Sequence, residues 1–307
     1  MAAFVVFALY PFMGAKDFTY PWRAARALVD GLDPYVVIRP TGHYPYESPF
    51  PYPLPAAFAA LPFAWLVPTV AGALFYGISA ALMAWALGRD GLWRFWAFAS
   101  APFAMATVLA QWSPLLVAAA LLTPLGWALA CKPTLGAALF AYRPTLRAAL
   151  LVAAVVAVSL AVQPRWPAEW LDAVRHVERH PAPVLRPFGF LALFALLRWR
   201  TPEGRLVAAM ACVPQNLYFY DQLPLWLVPR NGREAFAMSA LSWVALGAAN
   251  LTCHRAYFCG PEAEPWVIWL VYVPATLLVL RPVEIGSRLS ALGARPFVRQ
   301  DEQDERD

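Results

Sequence analysis

Apolar residues run along this chain in long blocks and not in strict alternation. Stretches near the length of a membrane-crossing helix, about 20 residues, occupy 69–88, 92–109, 114–130, 235–252 and 265–281. Shorter ones lie at 2–14, 148–162, 187–198, 204–218 and 221–229. The segment 134–142 is shorter still. Lys132, Arg143 and Arg147 flank it, so it reads as a re-entrant dip with both ends on one side. Short pieces of this kind belong where broken helices surround a water-filled cavity. The pattern predicts an all-α, polytopic membrane helical bundle of about ten crossings within residues 1–281. A polar cytoplasmic tail, 282–307, follows it. Residues 2–14 lack a basic n-region and a cleavage site, so no signal peptide is expected. The shortness of that span points to a start upstream of Met1.

Two polar stretches carry their own periodicity. Within 15–68, nine prolines fall between Pro34 and Pro68, after a predicted helix with Pro21 near its start and Gly31 at its end. On it Arg23, Arg26 and Asp30 share one face, and Trp22, Ala25 and Val29 another. Residues 167–180 predict a second amphipathic helix, with Trp170, Val174 and Val177 in a stripe. Both are expected to lie flat on the outer leaflet.

Composition agrees with the blocks. Hydrophobic residues make up 61% and charged residues 14% of 307, against about 25% charged in soluble domains. Mean hydropathy is +0.51. Thirty prolines are about twice the usual ~5%, which membrane helices tolerate. A net charge of +5 does not point to nucleic acid, because the basic residues flank apolar segments and form no dense run.

With both termini in the cytoplasm, the inner loops hold 15 of the 24 Lys and Arg residues and the outer loops 9, counting Lys132 as inner. The bias has the expected sign. The outer arginines, Arg23, Arg26 and Arg186 among them, call for a further role.

Candidate chemistry gathers on the outer side. Asp17 follows the first span, where a carboxylate is costly and faces a cavity. It reads equally well as the N-cap of a helix beginning near Tyr20. Glu47, in His43-Tyr44-Pro45-Tyr46-Glu47, fits turn chemistry as well as the wall of a sugar-binding cleft. Asp30 and Asp33 bracket Gly31 as turn and helix-end residues. Asp172, His176 and His180 recur every four residues, yet nothing completes a tetrahedral set, so no metal is expected. His180 and Arg186 suit a lipid phosphate better. Cys131 and Cys212 read as small apolar residues. Cys253 and Cys259 share an outer loop in which a disulfide can form. No nucleotide-binding, GxSxG or HExxH motif occurs.

Several short blocks together carry a resemblance. Asp17-Phe18, Tyr20, Ala24-Ala25-Arg26-Ala27-Leu28, Gly31-Leu32-Asp33-Pro34-Tyr35 and Tyr52-Pro53-Leu54 resemble the opening of glycosyltransferase family 87. Gln111-Trp112-Ser113-Pro114-Leu115-Leu116 and Lys132-Pro133-Thr134-Leu135-Gly136 are similar to later stretches of it. The family's Ser-Pro-x-Ser-Trp-x-His-like stretch has its nearest match at 213–222, which keeps Pro214 and lacks the His.

The resemblance implies a C-type membrane transferase with a polyprenyl-phosphate sugar donor and Asp17 as general base. Asp17 is then expected to activate an acceptor hydroxyl. Arg23, Arg26, His180 and Arg186 are the expected partners of the donor phosphate. Tyr46, Glu47, Gln111 and Asp221 are the expected sugar or acceptor contacts. Packing against another helix accounts for Gln111 equally well. No cofactor is expected. The expected activity is transfer of a hexose or pentose to a lipid, glycan or protein acceptor, at the outer face of the plasma membrane. The rival readings are a lipid-linked sugar flippase and an inactive scaffold of the same fold.

Overall fold

A computed structural model describes residues 16–177, 180–253 and 260–282. The first apolar segment, Cys259 and the tail beyond 282 lie outside them. The described residues are helical with no strand among them.

Among the described residues, three helices are long and apolar enough to cross a membrane: Pro68–Gly88, Gly232–Thr252 and Glu262–Leu280. Two bent pairs raise the number to five if each pair is one span: Leu92–Ala99 with Ala101–Leu109, at 61°, and Leu146–Val162 with Trp166–Arg175, at 96°. Only 39–44% of the most apolar window of each long helix is buried, so more than half of it faces outward. Leu146–Val162 buries only Ala148 and Ser159. Water does not tolerate so much contiguous apolar surface, and lipid does.

Nine of the ten apolar segments fall among the described residues, and they do not become nine membrane-length helices. The stretch 114–130 divides at Leu122 into Ser113–Leu121 and the 3-10 segment Thr123–Cys131. Pro124 lies just past the break, where it removes a backbone donor. Nine helical residues rise only about 14 Å, half of the ~30 Å hydrocarbon layer. The segments at 187–198, 204–218 and 221–229 are likewise short: Gly189–Arg198, Pro202–Cys212 and Tyr220–Leu227.

The helix predicted near Tyr20 begins earlier, spanning Lys16–Val29 with Pro21 inside it. Asp17 is therefore already helical and is not the N-cap of a helix beginning near Tyr20. The helix ends where expected: Gly31, at φ +70°, lets Leu32 N–H reach back to Ala27 O at 2.8 Å. Asp33 then caps the short turn Pro34–Val37 by accepting from Tyr35 N–H at 2.8 Å.

The second amphipathic helix is Trp166–Arg175, shorter than the expected 167–180. Its bend of 96° against the preceding helix fits a helix lying across the end of a span. The stripe differs from expectation. Trp166 and Ala173 are buried, Trp170 donates to Pro51 O at 3.0 Å, and Val174 is exposed. The helix therefore docks on the proline-rich segment.

Two apolar clusters result. The larger is the bundle core, which includes Phe18, Phe75, Trp112, Phe219 and Tyr272. The smaller, outer one joins Tyr20, Ile38, Phe50, Leu54 and Trp166. Tyr52 packs against both. Polar residues collect at that junction.

Candidate functional site

The Lys16–Val29 helix sends one face to each cluster. Phe18 and Trp22 enter the bundle, where Phe18 stacks on Phe75 at 4.1 Å. Tyr20 turns outward, sharing a hydrogen bond with Ser48 Oγ at 2.6 Å and lying edge-on to Tyr46 at 4.4 Å. Tyr46 bonds Thr19, and the Arg23 guanidinium sits 4.6 Å from the centre of its ring. Asp17 and Glu47 both act on the Tyr20 and Tyr46 hydroxyls. Burial is the main cause that holds the Tyr46 hydroxyl well above its ordinary pKa.

The deeper wall comes from residues far along the chain. At the break between Thr123–Cys131 and the helix Pro133–Tyr142, Lys132 points its ammonium at Asp221 Oδ1, 2.6 Å away. The Asp221 side chain is 3% exposed and that of Lys132 17%. Asp221 Oδ2 accepts Asn216 N–H at 3.0 Å. Gln222 bridges Asn216 O at 3.0 Å and Gln215 Oε1 at 2.9 Å. Tyr272, on a π-helical turn of the last span, also donates to Gln215 Oε1, at 2.8 Å. A buried ionic pair persists only with such supporting bonds, because desolvation of two charges is costly.

Tyr52 and Tyr220 join the two walls. The charges of Asp17 and Asp221 reach both hydroxyls. The Tyr52 phenol is pushed well above its ordinary pKa by burial, with Asp17 and Asp221 adding to the effect. It remains a proton donor at neutral pH. Trp112 lies 6.0 Å from Tyr52, ring to ring. Beside it Gln111 is wholly buried, and neither amide atom has a hydrogen-bond partner. Trp112 Nε1 and Ser113 Oγ are buried and unbonded too.

The backbone is unusual at both approaches. Ala110, before Gln111, has φ +50°, and Phe219, before Tyr220, has φ +68°. Left-handed geometry costs a non-glycine residue about 1–3 kcal/mol and clusters at functional sites.

No family model, curated protein or solved structure matches the chain.

The structure thus brings Asp17, Arg23, Tyr46 and Glu47 into one neighbourhood, with Asp221 on its far side. Arg26 and Arg186 are occupied elsewhere. Arg26 donates to Ala64 O at 3.3 Å, and Arg186 pairs with Glu264 at 2.5 Å. His180 is half-buried beyond the Trp166–Arg175 helix. Among the described residues no group of three or more His, Cys, Asp or Glu could hold a metal.

Lys132 was missed as a site residue. Counted as inner, it nevertheless meets Asp221, and the neighbouring Cys131 Sγ contacts Pro55 O at 3.5 Å in the segment expected outside. Lys132 therefore lies on the same side as Asp221 and the 15–68 segment, and within the expected scheme the count of 15 and 9 becomes 14 and 10. The dip reading of 134–142 also changes. The far end of Pro133–Tyr142 is held by Arg205, which donates to Ala141 O and Tyr142 O. Ten residues separate the two ends by about 15 Å.

Proposed function

We propose that the chain is an integral-membrane glycosyltransferase of C-type architecture. It takes a hexose or pentose from a polyprenyl-phosphate donor and passes it to an acceptor hydroxyl at the outer face of the plasma membrane. One observation carries the reading: Asp17 and Asp221, 204 positions apart by number (221 − 17), act on the same two tyrosines, Tyr52 and Tyr220.

In this reading Asp17, at the rim, removes the proton of the acceptor hydroxyl. The acceptor oxygen bonds to the anomeric carbon as the bond from that carbon to the phosphate oxygen breaks. Polyprenyl phosphate leaves with the electron pair, and the anomeric configuration inverts. Lys132 and Arg23 are cations of this neighbourhood, and either can offset the charge gathering on the leaving phosphate. Asp221 holds Lys132 extended and is not itself the base, since its two oxygens are engaged by Lys132 and Asn216 N–H. Tyr46, Glu47 and Gln111 supply groups suited to sugar hydroxyls.

The test is transfer by purified protein from polyprenyl-phosphate sugars. Asp17→Asn keeps shape and hydrogen bonding but removes the base. Transfer is expected to fall by on the order of 10²-fold or more, with helix content unchanged. Undiminished transfer by Asp17→Asn overturns the assignment of Asp17.

A further inference from the structure

The helices Gly232–Thr252 and Glu262–Leu280 are closely packed at the end where the first finishes and the second starts. They diverge toward the opposite end. The second carries the π-turn Ile268–Tyr272, then Pro274, and π-bulges and prolines are the usual causes of such bends. Between the splayed ends lies a half-open groove of about 340 Å³. One wall is Ala237, Met238 and Leu241, and the other Pro274, Leu277 and Leu278. Arg233, Glu234 and Arg281 stand at its mouth.

Three features define what fits. The groove opens on the apolar outer surface, where Val244 and Leu277 are exposed, so its occupant approaches from the bilayer. From Arg233 to Leu241 the helix rises about 12 Å, most of the ~15 Å hydrocarbon depth of one leaflet. The mouth is cationic, with two guanidinium groups against one carboxylate. That carboxylate is already engaged: Glu234 Oε2 accepts Arg230 N–H at 2.8 Å, and Oε1 lies 3.6 Å from Arg281. Arg233 and most of Arg281 remain exposed.

We propose that this groove holds an acyl chain of an anionic phospholipid of the surrounding bilayer, with the headgroup phosphate between Arg233 and Arg281. The site is separate from the Asp17 neighbourhood, and the proposal does not rest on glycosyl transfer. Guanidinium groups suit phosphate because their donors can pair with two of its oxygens. Each arginine near the membrane surface favours an anionic lipid by about fivefold.

Native mass spectrometry of the full chain, released from nanodiscs of equal parts phosphatidylglycerol and phosphatidylcholine, tests it. The protein is expected to retain phosphatidylglycerol over phosphatidylcholine by on the order of tenfold. Arg233→Gln with Arg281→Gln should erase that preference, and Ala237→Trp, which fills the groove, should remove one bound lipid. The arginine pair lies on exposed helix ends, so that variant decides the matter even where Ala237→Trp fails to fold. Equal retention of both lipids by the unaltered protein, or a preference that survives the paired substitution, overturns the proposal.

Discussion

Gln111 illustrates how one residue can have two readings that structure alone makes separable by experiment. It is wholly buried, and both its amide atoms lack a hydrogen-bond partner. Leaving such groups unpaired costs about 1–3 kcal/mol, more than packing alone would justify. Gln111→Leu keeps much of the volume and removes the unpaired groups. The substitution is expected to raise thermal stability in detergent while lowering sugar transfer at least tenfold, and thermal melts beside transfer assays check both. A rise in stability with unchanged transfer returns Gln111 to a packing role. Asp17 is already helical, so it is not the N-cap of a helix beginning near Tyr20, and its structural alternative becomes that of a carboxylate in a helix's first turn.

At the scale of elements, the pair Lys132–Asp221 fastens the start of Pro133–Tyr142 to the start of Tyr220–Leu227. Close backbone approach lets the first of these helices lie against Thr123–Cys131. A Cβ on Gly136 would fall 2.0 Å from Leu129 O, so only glycine fits there without a shift. Removing one partner of a buried pair costs about 3–5 kcal/mol, whereas replacing both with apolar residues is often neutral. Lys132→Met is therefore expected to destabilise by about 3–5 kcal/mol. Lys132→Met with Asp221→Leu should recover most of that loss, as read from thermal unfolding. Transfer should stay low in the double variant, because the cation near the leaving phosphate is still absent. Recovery of transfer along with stability would make the pair structural only.

For the whole molecule, the two clusters and the junction between them define one working face. Among the described residues, three to five helices are long and apolar enough to cross a bilayer. The proposed orientation puts Thr41 outside and Arg89 inside. In a Cys212→Ser background, Thr41→Cys should react with an impermeant thiol reagent on intact cells. Arg89→Cys should react only after permeabilisation. The reverse pattern inverts the scheme and leaves Asp17 facing away from an outer acceptor. Cys253 is disulfide-bonded, and its expected partner, Cys259, lies outside the described residues.

Much of this was legible from residue order because it depends on local chemistry. Apolar blocks marked the long helices, since bilayer thickness sets their length. Gly31 and Asp33 marked a helix end and a cap, since each acts within a few residues of itself. Asp17, Arg23, Tyr46 and Glu47 lie within 31 residues (17 to 47), and short proline-stiffened chain keeps them near one another. The remainder needed the tertiary structure. Apolar content does not say whether a block forms one crossing or two short pieces, because a break such as Leu122 depends on what packs around it. Counting predicted crossings put Lys132 and Asp221 on opposite sides of a membrane. Folding put them 2.6 Å apart, because a buried charge stays only where its counter-charge and supporting hydrogen bonds meet it, however distant they are along the chain.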